Sequence, residues 1–304
     1  MLRTVAALAA ACLVAACSAT SAPTSASTAP TASPATATAR PTASRTAKPR
    51  PKPQPPAPKP RVTVTRMRMA DGAVVTVAAF RGPVTYVLHD GSEDPGLAVG
   101  RVKAGPAVGG TERRRLLAAF NGGFKLSAGA GGYEQEGHVA VALQRGLASL
   151  VIDRSGRATI GVWGYGLPAP GEAVYSVRQN LTPLVLHGTP TAAAADPGLW
   201  GATLGGGVYV ARSAVGQDAA GDLMAAASMS ASPADLAVAL ARAGARIAME
   251  LDINPEWVQL DVASRPGGPL RAAVPGQVRP ADQFLAGWAR DFFTVLGPAG
   301  PGRS

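Results

Sequence analysis

Between Ser18 and Arg61 the chain is built from Ala, Thr, Ser and Pro, then from Pro alternating with Lys and Arg. So little apolar bulk cannot offset the entropy of ordering a chain. Residues 18–61 are therefore expected to be a disordered, partly polyproline-II tether whose Ser/Thr-rich half is open to glycosylation. Any folded domain has to be made from residues 62–304, a length that supports one large domain with a substantial core and that contains no internal linker or repeat. The same break explains the charge. Eight of the 29 bases and none of the 19 acids lie in residues 1–61, which leaves 21 bases against 19 acids downstream of a chain whose total is +10. The folded part is near neutral, so the basic balance points to anionic headgroups or wall polymers touched by the tether and argues against nucleic acid.

Arg3 precedes an Ala/Leu/Val-rich run too short to span a bilayer, which ends at Val14-Ala15-Ala16-Cys17-Ser18. The segment resembles a bacterial lipoprotein signal with its lipobox. That resemblance implies lipidation of Cys17 after export and a protein held at the outer face of the cell membrane. An ordinary cleaved secretory peptide is the alternative. Cys12, the only other cysteine, lies within residues 1–17 and is removed in either case, so the mature domain has no disulfide.

Strands are expected at Val62–Thr65, Val74–Ala78, Thr85–His89, Leu147–Ile152, Ala158–Trp163, Thr182–Leu186 and Gly207–Arg212, separated by turn signals such as Asp71-Gly72. A short helix is expected at Thr111–Ala119. Many strands with few helices and no regular βαβ alternation imply an α+β fold: a single domain with a mixed, largely antiparallel sheet flanked by helices.

The strongest local signals lie together near the end. Ser232 reads as an N-cap with Pro233 at the first helical position, and the helix runs through Leu236, Ala239 and Leu240 to a stop at Gly244. A strand over Ala245–Asp252 follows. Its alternation puts Ile247, Met249 and Leu251 on one face and Ala248, Glu250 and Asp252 on the other. Glu250 sits in an otherwise apolar run where an unpaired charge is costly, and Asp252 and Glu256 flank a stiffening Pro255. Carboxylates at a strand end are either ligand-facing acids or solvated partners of nearby arginines; this environment favours the former.

Four islands stand in order: Asn121-Gly122-Gly123-Phe124; Leu184-Val185 leading to Gly188; Arg212-Ser213-Ala214-Val215-Gly216; and the helix leading to Leu251-Asp252. Together they resemble the phosphodiester glycosidase family, the N-acetylglucosamine-1-phosphodiester alpha-N-acetylglucosaminidase-like domains, over roughly residues 62–262. The resemblance implies a hydrolase that cleaves the glycosidic bond of a sugar-1-phosphodiester. Asp252 would be base or nucleophile, with Glu250 as partner acid. Arg212 would clamp the phosphate, and Asn121, Gly122 and Gly123 would contact substrate. The chain departs from the family where a glycine run follows Leu-Asp, since Ile253-Asn254-Pro255 stands there.

Glu136, in the polar loop Gly131–His138, and Glu256 and Trp257 beyond the strand complete the candidate sugar-facing set, with Trp163 and Trp200 as stacking or core residues. The three histidines have no zinc-type spacing. The residues name no cofactor, and leave open a divalent cation such as calcium, held by Asp252, Glu256 and backbone carbonyls. The competing reading is a non-catalytic, surface-anchored module that binds cell-wall glycan with the same Asn, Arg, Trp and carboxylates.

Overall fold

Alternating Val and Thr, joined across the left-handed Gly72, make a hairpin of strands Arg61–Arg68 and Val74–Arg81, with Val64 opposite Ala78. This hairpin begins the computed structural model, which describes residues 61–298; Cys17, its signal-like segment and the tether upstream of Arg61 lie outside the described residues. It forms one edge of a seven-stranded antiparallel sheet that continues through Leu223–Ala231, Val210–Asp218, Ala245–Ile253, Pro183–Leu186 and Thr189–Pro190. A five-stranded sheet follows the order Arg271–Ala272, Leu260–Val262, Leu116–Asn121, Phe292–Leu296, Thr85–His89. The third sheet, also of five strands, runs His138–Val141, Tyr133–Gln135, Ser176–Gln179, Ala148–Ile152, Ala158–Val162.

The pleat of the seven-stranded sheet sorts its residues between two cores. Ala78, Phe80, Val215, Leu223, Ala225, Met249 and Leu251 enter the core shared with the other sheets. Val75, Val77, Ala214, Met224, Ala226 and Ala248 enter the core beneath the helix Pro233–Arg242. That helix matches the expected boundaries closely. Ser232 and Asp235 form a reciprocal capping box, worth about 1 kcal/mol, and Pro233 opens the first turn.

The α+β expectation is corrected. Among the described residues every ladder between the named strands is antiparallel, three sheets stand where one was expected, and there are three α-helices, of which Pro233–Arg242 alone exceeds six residues. The fold is β-rich. The helix expected at Thr111–Ala119 shows why: helix forms only over Gly110–Arg115, and Leu116–Asn121, every residue buried, becomes a central strand between Leu260–Val262 and Phe292–Leu296. Pairing on both edges outweighs the helical preference of Leu-Leu-Ala-Ala. Among the described residues no helix is long and apolar enough to cross a membrane.

Candidate active site

The three sheets meet at one place. Asp252, near the end of its strand, donates its backbone N–H to the carbonyl of Gly122 at 2.9 Å, and Gly122 donates to the carbonyl of Asp291 at 2.8 Å. From the third sheet Arg178 reaches Asp291, Nε to Oδ2 at 2.8 Å, and also donates to the carbonyls of Gln179 and Phe124. Both ends of this ion pair are 1% exposed. The pair Gly122-Gly123 is dictated by close approach. A Cβ on Gly122 would overlap the Asp291 carboxylate, and one on Gly123 would stand 2.7 Å from the Arg178 guanidinium carbon.

Above this junction lies an open cavity of about 530 Å³. Phe124, Ala130, Leu181, Ala202 and Ile253 give it an apolar side, and Lys125, Asp252, Asn254, Trp257 and Arg290 a polar one. Asp252 is the sole acid among its lining residues. Its Oδ2 takes a 3.0 Å contact from Arg290 Nη2 and its Oδ1 accepts from the Ile253 N–H at 2.9 Å. Burial pushes its carboxyl up to about 7, with Arg290 pulling the other way. Arg290 also contacts Asp94 at 3.2 Å, donates to the Gly123 carbonyl at 3.1 Å and stands 5.1 Å from the Trp257 ring centroid.

The other sequence candidates sit around this cavity at different depths. Arg212 and Glu250 face each other at 2.9 Å with side chains 1% and 0% exposed, and neither lines the cavity. Arg212 also donates to the carbonyl of Trp200, next to cavity-lining Gly201, at 3.0 Å. Burial pushes Glu250 up to about 8 against the pull of Arg212. Asn121 is a buried brace: Nδ2 donates to Ser213 Oγ at 2.8 Å, Ser213 donates to the Asp252 carbonyl at 2.7 Å, and Oδ1 accepts from Gln259 N–H at 3.1 Å.

Glu136 does not line the cavity. Gly131–His138 closes into a hairpin, and Glu136 Oε1 accepts two backbone N–H bonds, from Lys103 and Ala104, both at 2.9 Å. Glu256 is exposed and paired with Arg279 at 2.6 Å, and it does not share the cavity with Asp252. No group of three metal-type side chains forms among the described residues. Trp200 is fully buried, Trp163 packs in a small apolar cluster, and Trp257 reaches the cavity.

Asn254 stands where the family pattern has glycine and takes φ +78°, a left-handed conformation that Asn tolerates better than most side chains. The turn therefore keeps a glycine-like backbone without the glycine.

Nothing in the local sequence singles out Lys125, Arg178, Arg290 or Asp291 as parts of one site. The one available signal was the Arg290-Asp291 charge pair directly before the wholly buried strand Phe292–Leu296.

No family model matches the chain, and no curated protein matches it in sequence. Among solved structures it is similar to the catalytic domain of zebrafish N-acetylglucosamine-1-phosphodiester alpha-N-acetylglucosaminidase, auto-inhibited by its pro-peptide. The identity is 15% and the TM-score 0.51, covering 81% of this chain and 85% of that one. It is also similar to a hypothetical protein from Synechocystis, at 12% identity and TM-score 0.50, covering 79% of this chain and 62% of that one. Similarity at these identities establishes a distant relationship of fold.

Proposed function

We propose that the protein is a hydrolase that cleaves the glycosidic bond of a sugar-1-phosphodiester, exported and held at the outer face of the cell membrane through a lipid on Cys17. The observation that carries the reading is Asp252, a nearly buried carboxylate on the floor of a cavity of sugar size, held by Arg290. The fold shared with a glycosidase catalytic domain supports it. A phosphate monoester is a good leaving group, so bond breaking needs little help from a second, acidic carboxyl. One carboxylate is then enough. Ionised Asp252 takes a proton from water as the water oxygen bonds to the anomeric carbon. The bond from that carbon to the phosphate oxygen breaks, and the monoester leaves with the electron pair. A carboxyl near 7 is matched to that work at neutral pH, and Arg290 favours its ionised form.

The burial of Glu250 away from the cavity favours a second reading, a glycan-binding module, because no acid–base pair faces the ligand. Incubation of the purified chain with methyl phosphodiesters of several sugars separates the two. Release of methyl phosphate supports the hydrolase. Binding of cell-wall glycan without release, retained in Asp252→Asn, replaces it with the binding module.

A further inference from the structure

Arg290 is the cation closest to Asp252, yet its charge is committed. It contacts two carboxylates, Asp252 and Asp94, and a carbonyl, that of Gly123. With both acids ionised these three side chains sum to one negative charge, which repels an anionic ligand. The other cation on the cavity lining is Lys125. Among the described residues it makes no ion pair; its ammonium stands 6.0 Å from the centroid of the Trp257 ring, whose other cationic neighbour is Arg290.

The backbone on both sides of Lys125 is fixed. The Phe124 N–H donates to Asn180 Oδ1 at 3.1 Å, the Phe124 carbonyl accepts from Arg178, and the Leu126 N–H donates to Asp94 at 3.2 Å. Its side chain is exposed. A pinned main chain carrying a free, long cation beside an indole face is suited to hand that charge to an arriving anion at small entropic cost.

We infer that Lys125 is the anion-selecting residue of this cavity: it leaves the Trp257 face to pair with the single negative charge of a phosphodiester, while Arg290 stays with Asp252. The inference rests on the phosphodiester reading above and adds to it the residue that distinguishes charged from neutral glycosides. Trp257 is then a resting place for cations rather than a sugar-stacking platform.

The test is calorimetric titration of the full chain with methyl phosphodiesters of glucose, mannose and N-acetylglucosamine and with the corresponding neutral methyl glycosides, using wild type, Lys125→Met and Lys125→Arg. Release of methyl phosphate is followed in parallel. Lys125→Met is expected to lose about tenfold in affinity for a diester, with Lys125→Arg retaining most of it and the neutral glycosides unaffected. Raising salt from about 20 to about 200 mM weakens diester binding to wild type and has a smaller effect on Lys125→Met. Lys125-dependent diester binding without release of methyl phosphate keeps this inference and removes the hydrolase. Cleavage with the same diester-to-neutral preference in wild type and Lys125→Met removes the inference and keeps the hydrolase. Absence of diester binding to wild type overturns both.

Discussion

Arg178→Met tests the claim that the site is assembled on a buried charge junction between sheets. The substitution keeps aliphatic bulk beside Tyr133, over whose ring the guanidinium stands at 5.6 Å, while removing the counter-ion of a carboxylate that is 1% exposed. It also strips a donor from the carbonyls of Gln179 and Phe124. Breaking a buried pair by deleting one partner costs about 3–5 kcal/mol, against a total stability of about 5–15 kcal/mol. At about 2–4 °C per kcal/mol for a domain of this size, the melting temperature should fall by about 6–20 °C. Thermal unfolding followed by circular dichroism reads this, with the urea midpoint as a second measure. The double variant Arg178→Met/Asp291→Leu should recover part of the loss, because the orphaned charge is gone. A loss below about 1 kcal/mol, the worth of a surface pair, would refute the reasoning.

Further outcomes follow from other parts of the molecule. Asp261 is fully buried, held by Gln259 at 2.7 Å and Gln277 at 2.8 Å, and burial pushes it up to about 7. Between its ordinary 3.8 and about 7 the folded chain binds this proton more than the unfolded chain does, so stability falls as pH rises across that window. Asp261→Asn should flatten that slope by up to about 1.4 kcal/mol per pH unit, and an unchanged slope in urea titrations would contradict the assignment. Metabolic labelling with a palmitate analogue should tag wild type and not Cys17→Ser; equal labelling of both sinks the lipid anchor. A chain starting at Arg61 should melt with the full mature chain, since the tether's composition offers no core, and a large drop would move the boundary upstream.

The capped helix and the strand after it were legible because several local signals agree there: Ser232, Pro233, Asp235, a glycine stop, then a period of two. That agreement placed Asp252 at a strand end. The Leu116–Asn121 strand was not legible, since a fully buried strand with partners on both edges has no alternation to distinguish it from a buried helix. Nor can a sequence say which acid an arginine meets. Arg212 at a strand start is compatible with a phosphate clamp or an internal pair, and its Glu250 contact comes from registering Val210–Asp218 against Ala245–Ile253. Arg290 reaches Asp252 from beyond two further strands and a short helix, through a contact that no local spacing encodes.

The most direct test of the central claim is hydrolysis of the sugar methyl phosphodiesters by wild type and Asp252→Asn across pH. In wild type kcat/KM should rise as pH passes through about 7 and Asp252 ionises. Asp252→Asn should lower kcat by about 10²- to 10⁴-fold, with its circular dichroism unchanged and the diester still bound. A substituted protein that cleaves the diester at the wild-type rate, or a wild-type profile flat through neutrality, would contradict Asp252 as the group that moves the proton.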